Sequence, residues 1–223
     1  MKWSEMFTSS VGKKWVMALT GLFLITFLVV HAGINACIWA NDGGVMFGGA
    51  AHFMGSSWVI RIVEIGLMAG FLIHIVQGVM LEIQNRSKRK KGYALAMGGK
   101  GSKWYSRSMG LLGTLILIFL IIHLSHFWVP NRNNQGWLLG EELNLFEKMK
   151  SMFQAEWVVI LYVVGCISLA WHLLHGFQSA FRTMGVSNKK YLSLLNTAGI
   201  GFSIIIPLVF AMMPVSFYLG WLK

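Results

Sequence analysis

The sequence predicts an all-α membrane protein of five transmembrane helices, one domain over residues 1–223. Three observations carry that prediction. Of 223 residues, 56% are hydrophobic and only 12% are charged, where a soluble domain carries about 25% charged residues. Five stretches hold the roughly 20 mostly apolar residues that a helix needs to cross a hydrocarbon core. Basic residues collect in the connections between alternate stretches. Mean hydropathy is +0.61, and 13% aromatics with this apolar content exclude a disordered chain. Cys37 and Cys166 lie inside apolar stretches without paired spacing, so they give neither a disulfide framework nor a zinc site.

The five spans read as 15–39, 58–83, 109–129, 157–181 and 192–222. The first follows Lys13 and Lys14 but is too long for a signal-peptide core and lacks a small-residue cleavage pattern, so it is expected as a mature helix. Pro207 and Pro214 fall inside the fifth. They are expected to bend it rather than end it, because membrane helices tolerate proline.

Charge fixes the expected orientation. Residues 86–107 hold Arg86, Lys88, Arg89, Lys90, Lys91, Lys100, Lys103 and Arg107 without one acid. Arg182, Lys189 and Lys190 follow span four, and Lys2, Lys13 and Lys14 precede span one. These alternate regions hold 14 of the 19 basic residues. Asp42, Glu141, Glu142, Glu147 and Glu156 mark the other side. The positive-inside bias then puts the N-terminus in the cytoplasm. The net charge of +11 is a topology signal, and no nucleic-acid partner is expected.

Four spans each carry a histidine: His31 in LVVHAG, His74 in FLIHIVQG, His123 in LIIHLSH and His172 in LAWHLLHG. Ionisable groups inside spans are costly and usually functional. One buried histidine can simply bond a neighbouring helix, but four on successive helices argue for a shared task. By position in their spans, His31 and His123 fall roughly 7 Å to the outer side of the middle. His74 and His172 fall roughly 4–5 Å to the inner side. Two histidines facing across a bundle can hold one haem iron through both axial positions. The sequence therefore predicts a four-helix haem-binding bundle plus a fifth helix, with His31 and His123 on an outer b haem and His74 and His172 on an inner one. Zinc or copper would want ligands at one depth.

Gly78 and Gly176 each follow an inner ligand by one turn and could leave flat patches for a porphyrin, although helix packing uses glycine equally. His126 and His175 lie three residues after proposed ligands, where they could bond haem propionates or a quinone, or themselves be the ligands.

With these residues in place, the chain resembles the cytochrome b membrane-anchor subunit of succinate dehydrogenase/fumarate reductase, in the five-helix, two-haem, single-anchor class. The resemblance rests on Ala51-His52-Phe53-Met54 before span two, Arg61 and Glu64 early in it, His74-x3-Gly78, and His172-x3-Gly176 with Gly185 beyond. It implies that His31, His74, His123 and His172 are axial ligands, paired first with third and second with fourth, as depth suggests independently. It implies two haem b groups, a quinone substrate such as menaquinone, and location in the bacterial cytoplasmic (inner) membrane. It further implies a flavoprotein subunit with FAD and an iron–sulfur subunit, both docked on the cytoplasmic face where residues 86–107 lie. No residue for dicarboxylate chemistry is expected in this chain, whose implied role is to anchor those subunits and pass electrons to or from membrane quinone. Some relatives carry a carboxylate two residues before the fourth ligand; here that position is Ala170, and no carboxylate proton path is expected.

The quinone is expected near the outer haem, among His52, Arg61, Glu64 and Asn35. Glu64 or His52 could exchange its protons. Arg61 and Glu64, three residues apart, could equally form a local ion pair. Two rivals remain at this point: a dihaem cytochrome b of a hydrogenase or formate dehydrogenase, and a transporter using histidines as relays.

Overall fold

A computed structural model of the chain describes residues 9–88, 108–135 and 143–222. Most of the basic segment 86–107, the start of the chain with Lys2, and Glu141 and Glu142 lie outside the described residues. Among the described residues the structure is all helical, without strands.

Helix α1 covers Ser10–Ala36 and continues as a tight 3-10 turn over Cys37–Ala40. It begins where Ser9 Oγ accepts from the Gly12 N–H at 3.0 Å, a side-chain cap for an otherwise orphaned donor. A short α2 (Val45–Ser56) leads into α3 (Trp58–Lys88). Helix α4 (Met109–His123) passes through a π turn at Leu124–Trp128 into α5 (Val129–Gln135). Next come α6 (Leu145–Met152), α7 (Glu156–Thr183) and α8 (Lys189–Tyr218).

Five helical stretches are long and apolar enough to cross a membrane: Ser10–Ala40, Trp58–Ser87, Met109–Asn134, Glu156–Thr183 and Lys189–Tyr218. Each contains most of an expected span. The fifth ends earlier than expected, at Tyr218, because Gly220 takes a left-handed φ of +69° and the Trp221 N–H turns back to the Ser216 carbonyl, which closes the helix. Helix α8 runs through both Pro207 and Pro214. Gly185, at φ +91°, ends α7 in the same manner, with the Val186 N–H on the Phe181 carbonyl.

The packing order positions the site. Helix α1 packs on α3, α3 on α4, α4 on α7, and α7 back on α1. This closes a four-helix ring in which α1 faces α4 across one diagonal and α3 faces α7 across the other. Helix α8 lies outside, along α7 and α1. Apolar side chains such as Leu72, Val76, Ile121 and Ile160 of the ring and Ile205 of α8 are exposed, as hydrocarbon-facing residues would be.

One end of the ring has its own apolar cap. Ile38, Phe47, Phe146, Met149, Phe153, Tyr162 and Phe217 form a buried cluster joining α2, α6 and the ends of α7 and α8. Helix α6 buries Phe146 and Met149, and Asn144 caps its start by accepting from the Glu147 N–H.

Candidate functional site: two histidine pairs across the bundle

The four span histidines meet in two pairs, one on each diagonal. His31 of α1 and His123 of α4 have ring centroids 5.9 Å apart, with 87° between their planes. His74 of α3 and His172 of α7 are 6.3 Å apart, at 68°. A pair of imidazoles on one metal is separated by two ring radii of about 1 Å and two bonds of about 2 Å, which makes about 6 Å between centres. Both pairs have that spacing.

Thr20 fixes their relative level. Its Oγ1 lies 3.1 Å from His74 Nδ1, so the His74 pair sits at its height on α1. His31 is eleven residues further along the same helix, about 16 Å at 1.5 Å per residue. Helix α7 gives a similar figure. Tyr162 has its ring 6.0 Å from His123 and lies ten residues, about 15 Å, from His172. The separation exceeds the sum of the offsets expected from sequence.

The surroundings differ between the pairs. The His31–His123 pair is boxed by aromatic rings: Phe27 stacks on His31 at 5.1 Å, Phe210 lies 5.4 Å away, and Phe119 and Phe127 flank His123. Asn35 Nδ2 donates to the His31 carbonyl at 2.8 Å and lies 3.4 Å from His31 Nδ1. His123 Nδ1 and His172 Nδ1 are buried without a hydrogen-bond partner, as is Oε1 of Gln77, one turn from His74. Buried polar atoms are normally satisfied, so three such orphans around the pairs mark a region built for polar company. An iron-bound porphyrin, with axial nitrogen ligation and polar side groups, fits that set of residues.

His126 and His175 part ways. The π turn that follows His123 widens the helix, and His126 turns to Tyr162, with Nδ1 2.9 Å from the hydroxyl. His175 lines a cleft of about 390 Å³ with Lys14, Trp15, Gln178, Ser179 and Arg182. Of the two glycines, Gly176 has open space where a Cβ would stand, whereas at Gly78 a Cβ would touch Met17 at 3.4 Å.

The residues around Glu64 form a charged clasp. Arg61 Nη1 donates to Glu64 Oε2 at 3.0 Å, which is the local ion pair. Arg132, on α5, adds hydrogen bonds to both carboxylate oxygens at 2.9–3.1 Å, and Trp128 Nε1 donates to Oε1. Arg61 Nη2 also holds the Gly55 carbonyl at 2.7 Å. Two guanidinium groups thus share one carboxylate, tying α2, α3 and α5 together at the His31 end. His52, which precedes span two in the sequence, lies on α2 with its side chain exposed. Sequence reading missed Arg132, Trp128, Gln77 and Thr20. Among the described residues, no three or more His, Cys, Asp or Glu side chains converge on a metal-ion site.

A curated relative, the succinate dehydrogenase cytochrome b558 subunit of Bacillus subtilis (strain 168), is 29% identical over 168 residues, covering 75% of this chain and 74% of the relative. No family model matches the chain, and no solved structure matches it.

Proposed function

We propose that this chain is the membrane cytochrome b subunit of a succinate dehydrogenase/fumarate reductase complex, carrying electrons between an iron–sulfur subunit and membrane quinone. The observation that carries the reading is the pair of histidine pairs: two diagonals, two levels, each pair spaced for one iron. Likeness to the Bacillus subtilis cytochrome b558 subunit supports the same reading.

In this reading His74 and His172 hold one b haem and His31 and His123 the other, with the N-terminus in the cytoplasm. Bound haem supplies a one-electron iron couple at each level, tuned by its ligands and their surroundings. The chain contributes the rest. Two imidazoles would fix each group's position, and four helices pre-set the distance between levels. Phe27, Phe119, Phe127 and Phe210 keep water from the His31–His123 level. The flavoprotein and iron–sulfur subunits dock on the basic, cytoplasmic face, nearer His74 and His172. Quinone reacts at the opposite end, where Arg61, Arg132 and Trp128 offer donors to its carbonyl oxygens. Glu64 or His52 exchanges its protons, and Asn35, one turn beyond His31, adds a polar group at that end.

The test is a reduced-minus-oxidised spectrum of the purified full chain with its haem-to-protein ratio. Two low-spin b haems per chain are expected. A chain that binds none, in membranes and after purification alike, overturns the proposal.

A further inference from the structure

Thr20 stands on a different helix from His74, yet the geometry lets it decide which nitrogen of that imidazole is free. Its Oγ1 lies 2.8 Å from the Val16 carbonyl oxygen and 3.2 Å from that of Met17, as well as 3.1 Å from His74 Nδ1. A hydroxyl has one hydrogen and two lone pairs, and a carbonyl can only accept. Threonine in a helix commonly gives its hydrogen to the carbonyl one turn back, and here that contact is the shortest of the three. With its hydrogen committed to the backbone, Thr20 meets His74 as an acceptor.

The consequence follows from imidazole chemistry. A neutral ring carries one N–H and one bare nitrogen. If Nδ1–H donates to Thr20, then Nε2 keeps the lone pair that a metal needs. The ring is also held against α1 at this level, since a Cβ on Gly21 would lie 3.5 Å from His74 Cε1. Its opposite number has no such support: His172 Nδ1 is buried without a partner. The two imidazoles of this pair are therefore inequivalent.

We propose that Thr20 is a positioning residue for His74, holding the tautomer in which Nε2 can bind iron and raising that nitrogen's donor strength through the Nδ1–H···Oγ1 bond. The inference rests on the haem reading above. A hydrogen bond to the far nitrogen of a metal-bound histidine makes it a stronger base, which favours the ferric state of the iron it holds. Only one of two haems should feel it, because His31 lies about 16 Å away along α1.

The experiment compares Thr20→Val, which keeps the shape and removes the oxygen, with Thr20→Ser, which keeps the oxygen. Both are expressed as the full chain in its assembled membrane complex. Each haem's midpoint potential is read by redox titration and its ferric signal by low-temperature electron paramagnetic resonance. Thr20→Val is expected to move the ferric/ferrous ratio of one haem about tenfold toward ferrous at fixed potential, equivalent to about 59 mV for a one-electron couple. The other haem stays put, and Thr20→Ser behaves as wild type. Loss of that one haem in Thr20→Val, with retention in Thr20→Ser, supports the same conclusion. Unchanged potentials and signals in Thr20→Val with both haems bound overturn it, as do equal changes in the two variants. A wild-type chain that binds no haem would instead overturn the reading beneath it.

Discussion

His126 Nδ1 lies 2.9 Å from the Tyr162 hydroxyl, and the two rings stack with 7° between their planes. This contact separates two histidines that stand three positions apart. His123 turns toward His31, and His126 turns toward α7. The first prediction is that His126→Ala keeps both haems, whereas His123→Ala lowers the haem-to-protein ratio from two to one. Pigment analysis of purified variants checks it. Loss of a haem in His126→Ala, with two retained in His123→Ala, would exchange their roles.

The diagonal packing gives a second prediction. His74 and His172 serve one site and His31 and His123 the other, so variants should fall into two classes. His74→Ala and His172→Ala are expected to deplete the same haem, and His31→Ala and His123→Ala the other, as judged by which component of the low-temperature difference spectrum disappears. A spectrum in which His74→Ala and His123→Ala remove the same component would break the pairing.

The parts legible in the sequence were those set by one-dimensional patterns. Runs of about 20 apolar residues are long enough to announce a span, and a histidine's place within a span gives its level. Apart from the pairing of the four histidines, which their levels implied, contacts that cross between helices were not legible. Glu64 and Arg132 belong to different helices, and nothing local to Arg132 signals the bond. Thr20 reads as one more small polar residue on a helix, like Thr26, whose hydroxyl bonds the Leu22 carbonyl. Helix α6 is too short and mixed for a span, and its burial of Phe146 and Met149 depends on the cap that α2, α7 and α8 build around it. The π turn after His123 is likewise invisible, because periodicity arguments assume 3.6 residues per turn.

Glu64 carries the third prediction. Its oxygens accept from Arg61, Arg132 and Trp128, and its side chain is 19% exposed. Glu64→Gln removes the charge that holds two guanidinium groups in place, and with it the group proposed to exchange protons. Quinone-linked turnover is expected to fall by about a hundredfold, the scale of a lost general acid–base group, while dye-linked turnover and both haems persist. His52→Ala is assayed in parallel to separate the two candidates. Equal rates in both assays for Glu64→Gln would move the quinone elsewhere and leave the clasp a tie between helices.

Gly165 offers a test of how the aromatic box supports His123. A Cβ at this position would stand 2.5 Å from Phe119 Cδ2 and 2.7 Å from its Cγ, too close to the root of the ring for a small rotation to relieve. Phe119 stacks on His123 at 5.7 Å with 27° between planes, so a displaced Phe119 presses on that imidazole. Gly113 sits on α4 with open space at the same point. Alanine there should gain roughly 0.5–1 kcal/mol from reduced backbone freedom. At Gly165 the same substitution should cost about 1–3 kcal/mol through overpacking. Gly165→Ala is therefore expected to lower thermal stability and to lose the His31–His123 haem first, with Gly113→Ala as stable as wild type or more so. Haem retention during a thermal ramp of the purified variants reads both. Equal behaviour of the two variants would mean that Phe119 yields freely and does not buttress His123.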